Sequence, residues 1–188
     1  YPKRFYAGQT TENKPEFRLG ACMHDKTLLM TLYKKFNDGE LDYSRFCKML
    51  ARAVVEVLNG SRASIWRFAG TLQDRLTCES MYDRATNQWS NDAEMLEDDC
   101  GDYFAAILSA RRVAAQDAHL QADTACLDRL GFTPATRYAL LDVLIEPDGV
   151  PLGVVRCERD GVAEWSADDD VFLRQVAAML GLVCKKCS

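Results

Sequence analysis

Eight cysteines and two histidines, His24 and His119, hold most of the reactive potential of this 188-residue sequence. Thiolate sulfur and imidazole nitrogen are good zinc ligands, and Cys22-Met-His24 and Cys184-Lys-Lys-Cys187 each have a suitable internal spacing. The two halves meet only if the first and last helices run antiparallel with their outer ends together; otherwise they are terminal thiols, and no metal is assigned. A Cys–His nucleophile would need Cys100 or Cys126 beside His119, against the simpler reading of a buried thiol and a loop imidazole. Cys47, inside a helical apolar pattern, and Cys157, at the end of an apolar strand, read as small core hydrophobes. There is no glycine-rich phosphate loop, no G-x-S-x-G and no H-E-x-x-H. The residues therefore point away from an enzyme and name no cofactor.

Composition narrows the classes further. With 48% apolar and 27% charged residues the chain is expected to fold around one core. Net charge is −5, and Asp92, Glu94, Glu97, Asp98, Asp99 and Asp102 crowd one short stretch. A nucleic acid partner is disfavoured, because such binding rests on clustered Lys and Arg. No run of 18 apolar residues exists to span a bilayer. The start "YPKRFYAGQT" has no initiator Met and no signal-like apolar stretch, and Cys22, Cys47, Cys78, Cys100, Cys126 and Cys157 are scattered singly. The chain thus reads as part of a longer cytoplasmic protein with most of its cysteines reduced.

The elements that must position these residues follow from periodicity. Residues 1–25 show no period and are expected to be a flexible arm; residues 26–184 form the domain, and 185–188 a tail or linker start. Leu28, Leu29, Leu32, Tyr33 and Phe36 stripe a helix from Thr27, stopped by "NDG" at 37–39. Phe46, Leu50, Ala53, Val54, Val57 and Leu58 stripe a second, ended by Asn59-Gly60. "RASIWRF" alternates, with Ser64, Trp66 and Phe68 on one face, and pairs with "RLTCESMY" as a hairpin. After a long acidic connection come a helix with Tyr103, Phe104, Ile107 and Leu108 inward, the strand "VAAQDA", and a brief helix around "TACLDRL". "YALLDVLIE" (138–146) and "LGVVRCE" (152–158) form a second hairpin through "PDGV". Ser166 and Asp169 make a capping-box-like start for the last helix. Its apolar residues, from Val171 to Val183, wrap more than one stripe, so a sheet can cover only one side. The first helix or a second copy of the chain must cover the other. The class is α+β with a mainly antiparallel sheet.

"RASIWRF", "YALLDVLIEPDGVPLGVVRCE" and "EWSADDDVFLRQVAAMLGLV", in that order, resemble the GAF domain of bacterial sensor proteins over about residues 27–184. "DYFAAILSARRVAAQDAHLQAD" sits where that family has a helix, an Arg-rich turn and a strand ending in Asp-Ala. Leu144 departs from a common Pro, and "GFTPAT" is longer than usual. The resemblance implies a PAS-related sheet of five or six antiparallel strands. Terminal helices lie on one face and short helices over a pocket on the other. It implies a regulatory module that binds a small molecule, or pairs as a homodimer through its terminal helices, to control an output domain. That output would be of diguanylate cyclase, phosphodiesterase or histidine kinase type. The candidate pocket lining is Trp66, Phe68, Tyr82, Trp89, Tyr103, Phe104, Asp117, Leu127, Tyr138 and Leu141.

Within the family's repertoire, cyclic GMP is disfavoured: Arg156, Cys157, Trp165 and Asp168-Asp169 stand without the Asn-Lys of cyclic-nucleotide-binding members. Cys126 lies where bilin-binding members attach chromophore, but Leu127 follows it instead of His. His119 alone is thin support for haem. Two alternatives stay open. One is a structural dimerisation module with an empty pocket. The other is the GAF-fold group that reduces free methionine sulfoxide, with Cys78, Cys100 and Cys126 as its thiols.

Overall fold

The computed structural model describes residues 19–70, 72–130 and 136–187, with side chains described between 26 and 186. Two helices lead, α1 (Leu19–Asn37) and α2 (Tyr43–Val57), followed by strands β1 (Arg62–Phe68), β2 (Arg75–Asp83), β3 (Gln88–Ser90) and β4 (Glu94–Leu96). Then come α3 (Glu97–Ala110), β5 (Arg112–Ala115), a 3₁₀ helix (Ala125–Leu130), β6 (Tyr138–Ile145), β7 (Gly153–Asp160) and α4 (Ala167–Cys187). The class is α+β, as expected, but the antiparallel sheet has seven strands in place of five or six. Its order is β3-β2-β1-β7-β6-β5, with β4 also paired to β2. β3 and β4 are three-residue pieces of the acidic connection, and both pair with β2.

Local chemistry accounts for most boundaries. Asp42 caps α2, its carboxylate accepting from the Arg45 amide at 2.7 Å. The expected box at α4 is formed reciprocally: the Asp169 amide donates to Ser166 Oγ at 3.1 Å, and the Ser166 amide to Asp169 Oδ2 at 2.9 Å. Asp148 and Gly149 turn the β6–β7 hairpin with positive φ. Gly153 is required where β7 meets β1, because a Cβ there would lie 2.0 Å from the Trp66 carbonyl oxygen. The helix expected from Thr27 begins earlier, at Leu19, so the boundary expected at residue 26 falls inside α1 and that at 184 inside α4. The first turns of α1, "LGACMHD", have no apolar stripe from which their helicity can be read.

The sheet separates two cores. On one face α1, α2 and α4 pack over Ile65, Leu141, Val143, Val155 and Cys157. On the other, α3 and the 3₁₀ helix pack over Trp66, Phe68, Tyr138, Leu140, Leu144 and Val154. The two-sided last helix is explained within one chain: α4 lies on β6 and β7 and touches both α1 and α2. Leu173, Val176, Leu180 and Val183 are fully buried, while Val171 and Leu182 stay about half exposed.

Candidate functional site

The α3 face carries the charge that a hydrophobic core normally excludes. Arg156 of β7 and Asp142 of β6 are register partners and have no exposed surface. The guanidinium straddles the carboxylate, with Nε to Oδ1 at 2.9 Å and Nη2 to Oδ2 at 2.7 Å. From α3, the Tyr103 hydroxyl donates to Asp142 Oδ2 at 2.5 Å. The Tyr103 and Trp66 rings flank the guanidinium, with centroids 5.4 and 5.7 Å from its carbon. Trp66 is itself oriented by donating from Nε1 to Ser64 Oγ at 2.7 Å. On the far side of Arg156, Glu158 lies 4.0 Å from Nη1 and takes an ion pair of 2.6 Å from Arg62 of β1.

A buried seam thus runs Arg62, Glu158, Arg156, Asp142, Tyr103, from β1 across β7 and β6 to α3. Two guanidinium groups and two carboxylates compensate one another, which is the condition for burying any of them. Burial opposes the charge of Arg156, but Asp142, Tyr103 and Glu158 overcome it and hold the group cationic. Burial raises the Glu158 carboxyl, with Arg62 and Arg156 opposing the rise. It also drives the Tyr103 hydroxyl well up, reinforced by Asp142. Arg156 Nη1 and the Tyr138 hydroxyl, both wholly buried on this face, have no hydrogen-bond partner among the described residues.

At the edge of the face, His119 joins the 3₁₀ helix to the start of β6. Its Nδ1 meets Asp128 Oδ2 at 2.5 Å and its Nε2 the Thr136 carbonyl at 2.9 Å. Both partners are acceptors, so both nitrogens can donate only when the ring is protonated. The Thr136 carbonyl raises its pKa most, and Asp128 adds to the rise. The ring also stands edge-on to Tyr138 at 5.2 Å. Haem ligation through either nitrogen would displace the bond that this nitrogen makes.

Of the residues expected to line a pocket, the structure brings Trp66, Phe68, Tyr103, Phe104, Leu127 and Tyr138 together on the α3 face. Three lie elsewhere. Tyr82 belongs to the α4-face core because β2 carries a bulge: Trp66 pairs with Cys78 but Ile65 with Ser80. The extra residue, Glu79, reverses the alternation beyond it. Trp89 follows Tyr82, 4.8 Å from its ring and 38% exposed, donating to the Lys48 carbonyl of α2. Leu141 is one residue out of phase with Tyr138 and so points to the α4 face. Asp117 is a buried anchor at the edge, accepting from Arg137 Nε at 2.6 Å and from the His119 amide at 3.2 Å.

Sequence reasoning did not single out Asp142, Ser64 or Glu158 for this site. The signal for Asp142 was a single charge in the otherwise apolar run 138–145; Ser64 and Glu158 carried none of that kind. Cys78 and Cys100 lie in the α3-face core with Cys126 packed against it, and among the described residues no contact brings His119 to them. Cys22, His24 and Cys187, three of the four proposed zinc ligands, have side chains outside the described residues. The fourth, Cys184, receives Arg67 Nη2 at 3.3 Å.

The model of the GAF domain family matches residues 42–183, most of the chain and nearly all of the two-faced sheet. The chain belongs to the GAF domain family. Solved structures agree on the fold. The GAF domain of an Acinetobacter phosphoenolpyruvate-protein phosphotransferase is 13% identical with a TM-score of 0.65, covering 87% of this chain and 93% of that one. A phycocyanobilin-bound GAF domain from a cyanobacterial phytochrome is 10% identical, TM-score 0.69, with 86% and 94% covered. Free methionine-R-sulfoxide reductase from Neisseria meningitidis, in complex with its substrate, is 17% identical, TM-score 0.62, with 90% and 93% covered. No curated protein matched the chain. Among the described residues of this GAF domain, no helix is long and apolar enough to cross a membrane.

Proposed function

We propose that this GAF domain is the sensor module of a larger cytoplasmic signalling protein and takes a small molecule on its α3 face. GAF domains are regulatory modules of signalling proteins, and the reading inherits that general role. The observation that carries the ligand is a pair of buried polar groups with no hydrogen bond among the described residues: the Tyr138 hydroxyl, and Arg156 Nη1, which has only its 4.0 Å ion pair with Glu158. A buried N–H or O–H without a hydrogen bond costs on the order of 1–3 kcal/mol. A small molecule presenting acceptor atoms between them would recover that energy.

Output follows from the opposite face. Met30 on α1, with Val171 and Leu182 on α4, are large apolar groups left exposed on the terminal helices. A homodimer through these helices would carry a change at the sheet to an output domain. Such a switch requires the ligand to favour one helix arrangement, typically by about 1–3 kcal/mol.

The test is a thermal-shift screen against nucleotides, amino acids, tetrapyrroles and small acids, repeated on Tyr138→Phe. A ligand that binds only the folded state raises its melting temperature. The expected hit shifts the parent protein and loses most of its effect in the variant. A blank screen with a dimer on size exclusion would favour a structural dimerisation module. A second reading, reduction of free methionine sulfoxide, draws on Cys78, Cys100 and Cys126 all meeting the α3-face core, and thiol-dependent turnover of that sulfoxide would establish it.

A further inference from the structure

The polar groups of the seam differ in how far their hydrogen-bonding capacity is used. The Asp142 carboxylate accepts from Arg156 Nε and Nη2 and from the Tyr103 hydroxyl, so both of its oxygens are occupied. Glu158 holds Arg62 through Oε2, with Nε at 2.7 Å and Nη2 at 2.6 Å. What is left over is of one kind. Arg156 Nη1 and the Tyr138 hydroxyl each carry a proton to donate, and each is buried without a hydrogen bond among the described residues.

These two donors belong to one stretch of the face. Nη1 is turned toward Glu158 Oε1, 4.0 Å away, and Glu158 is the register partner of Leu140. Tyr138 comes next on the same side of β6, two residues from Leu140 and so about 7 Å along the strand. The surrounding core is apolar, with Trp66, Phe104 and Leu127 all fully buried.

Charge then selects among acceptors. Arg62 and Arg156 balance Glu158 and Asp142, so the seam is neutral by itself. An anion would add an uncompensated charge to a buried site. Its oxygen at Nη1 would also stand beside the Glu158 carboxylate, which lies 4.0 Å from that nitrogen. A carboxamide meets the same donors with its carbonyl oxygen and turns an N–H, in place of a second oxygen, toward Glu158.

We propose, resting on the reading of this face as a ligand site, that the ligand is an uncharged molecule bearing a carboxamide, whose carbonyl oxygen accepts from Arg156 Nη1 and the Tyr138 hydroxyl. The remainder of the molecule is apolar, to match the core around it.

The test uses pairs that share a ring and differ in head group: nicotinamide with nicotinate, and benzamide with benzoate. Each is titrated by thermal shift near pH 7, where both acids are anionic. The amide of each pair is expected to raise the melting temperature with an apparent affinity at least about tenfold tighter than its acid. Tyr138→Phe removes a hydroxyl that has no hydrogen bond, so the melting temperature without ligand is expected not to fall. The affinity for the amide should drop roughly two- to tenfold in that variant. An acid that binds as tightly as its amide overturns the proposal while leaving a small-molecule sensor standing. If neither pair binds, an uncharged carboxamide among the Tyr138-dependent hits of the wider screen supports the proposal, and any other hit overturns it. No hit in either set removes the ligand reading and this proposal with it.

Discussion

The two faces of the sheet are built on opposite principles. Beneath α1, α2 and α4 the core is a continuous apolar layer, in which each side chain stabilises by leaving water and packing. Beneath α3 the same strands bury a seam of four charged groups and a tyrosine, whose stability depends on every member being present. Even the polar cluster at the α4-face margin, where Tyr43 donates to Glu79 and accepts from Arg67 Nη2 at 2.9 Å, is only part-buried. An apolar layer tolerates small losses one at a time, whereas a buried charge network fails as a unit. The proposed function assigns pairing to the first face and ligand binding to the second.

The largest expected effect tests this difference. Arg156→Met should lose about 3–5 kcal/mol, because it strands the Asp142 carboxylate in the core. Arg156→Met with Asp142→Leu should recover much of that loss, and denaturant unfolding of both singles and the double would read the coupling. On the α4 face, Leu173→Ala should cost about 2–5 kcal/mol through a cavity. Combined with Arg156→Met it should add simply, since the two lie on opposite sides of the sheet. Strong coupling between them would break the comparison.

Smaller effects sharpen it. Ser166→Ala removes the α4 cap and should cost about 1 kcal/mol, measured by the same unfolding curves. Leu182→Ser, at a side chain 52% exposed, should change monomer stability by less than about 0.5 kcal/mol yet weaken any homodimer on size exclusion. The smallest effect is the pH dependence of the His119 latch. Its folded pKa lies above the ordinary 6.5, so its contribution is complete below about pH 6.5 and is lost as pH rises through the folded value. Amide exchange around Ala118–Asp128, corrected for intrinsic rate, should become faster from pH 6 to pH 8 in the parent protein. In His119→Gln it should not respond.

Much of the α4 face was legible in the sequence because its signals are local. The capping box at Ser166 and Asp169, the stripe of α2 and the alternation of "RASIWRF" each lie within a few residues. The α3 face was harder, because its key relations are between strands. Asp142 and Arg156 stand out only as charges in apolar strands until the hairpin sets their register. Each lies seven residues from Gly149, on which the observed register is centred, whereas a turn centred on the middle of "PDGV" would set Asp142 opposite Val155. The bulge at Glu79 left no comparable mark. It depends on how β1 and β2 pair, and it moved Tyr82 and with it Trp89 to the other side. The strands β3 and β4 were read as connection because three residues carry no period of their own. The GAF resemblance gave the faces their expected roles but not the seam.

Native-state hydrogen exchange, resolved by residue, tests the separation of faces most directly. The account predicts that α2, α4, β1 and β7 exchange only through global unfolding. Residues 97–130 over the seam should exchange through a separate local opening of lower free energy. Protection that falls uniformly across both faces, with residues 97–130 opening only when α4 does, would contradict it.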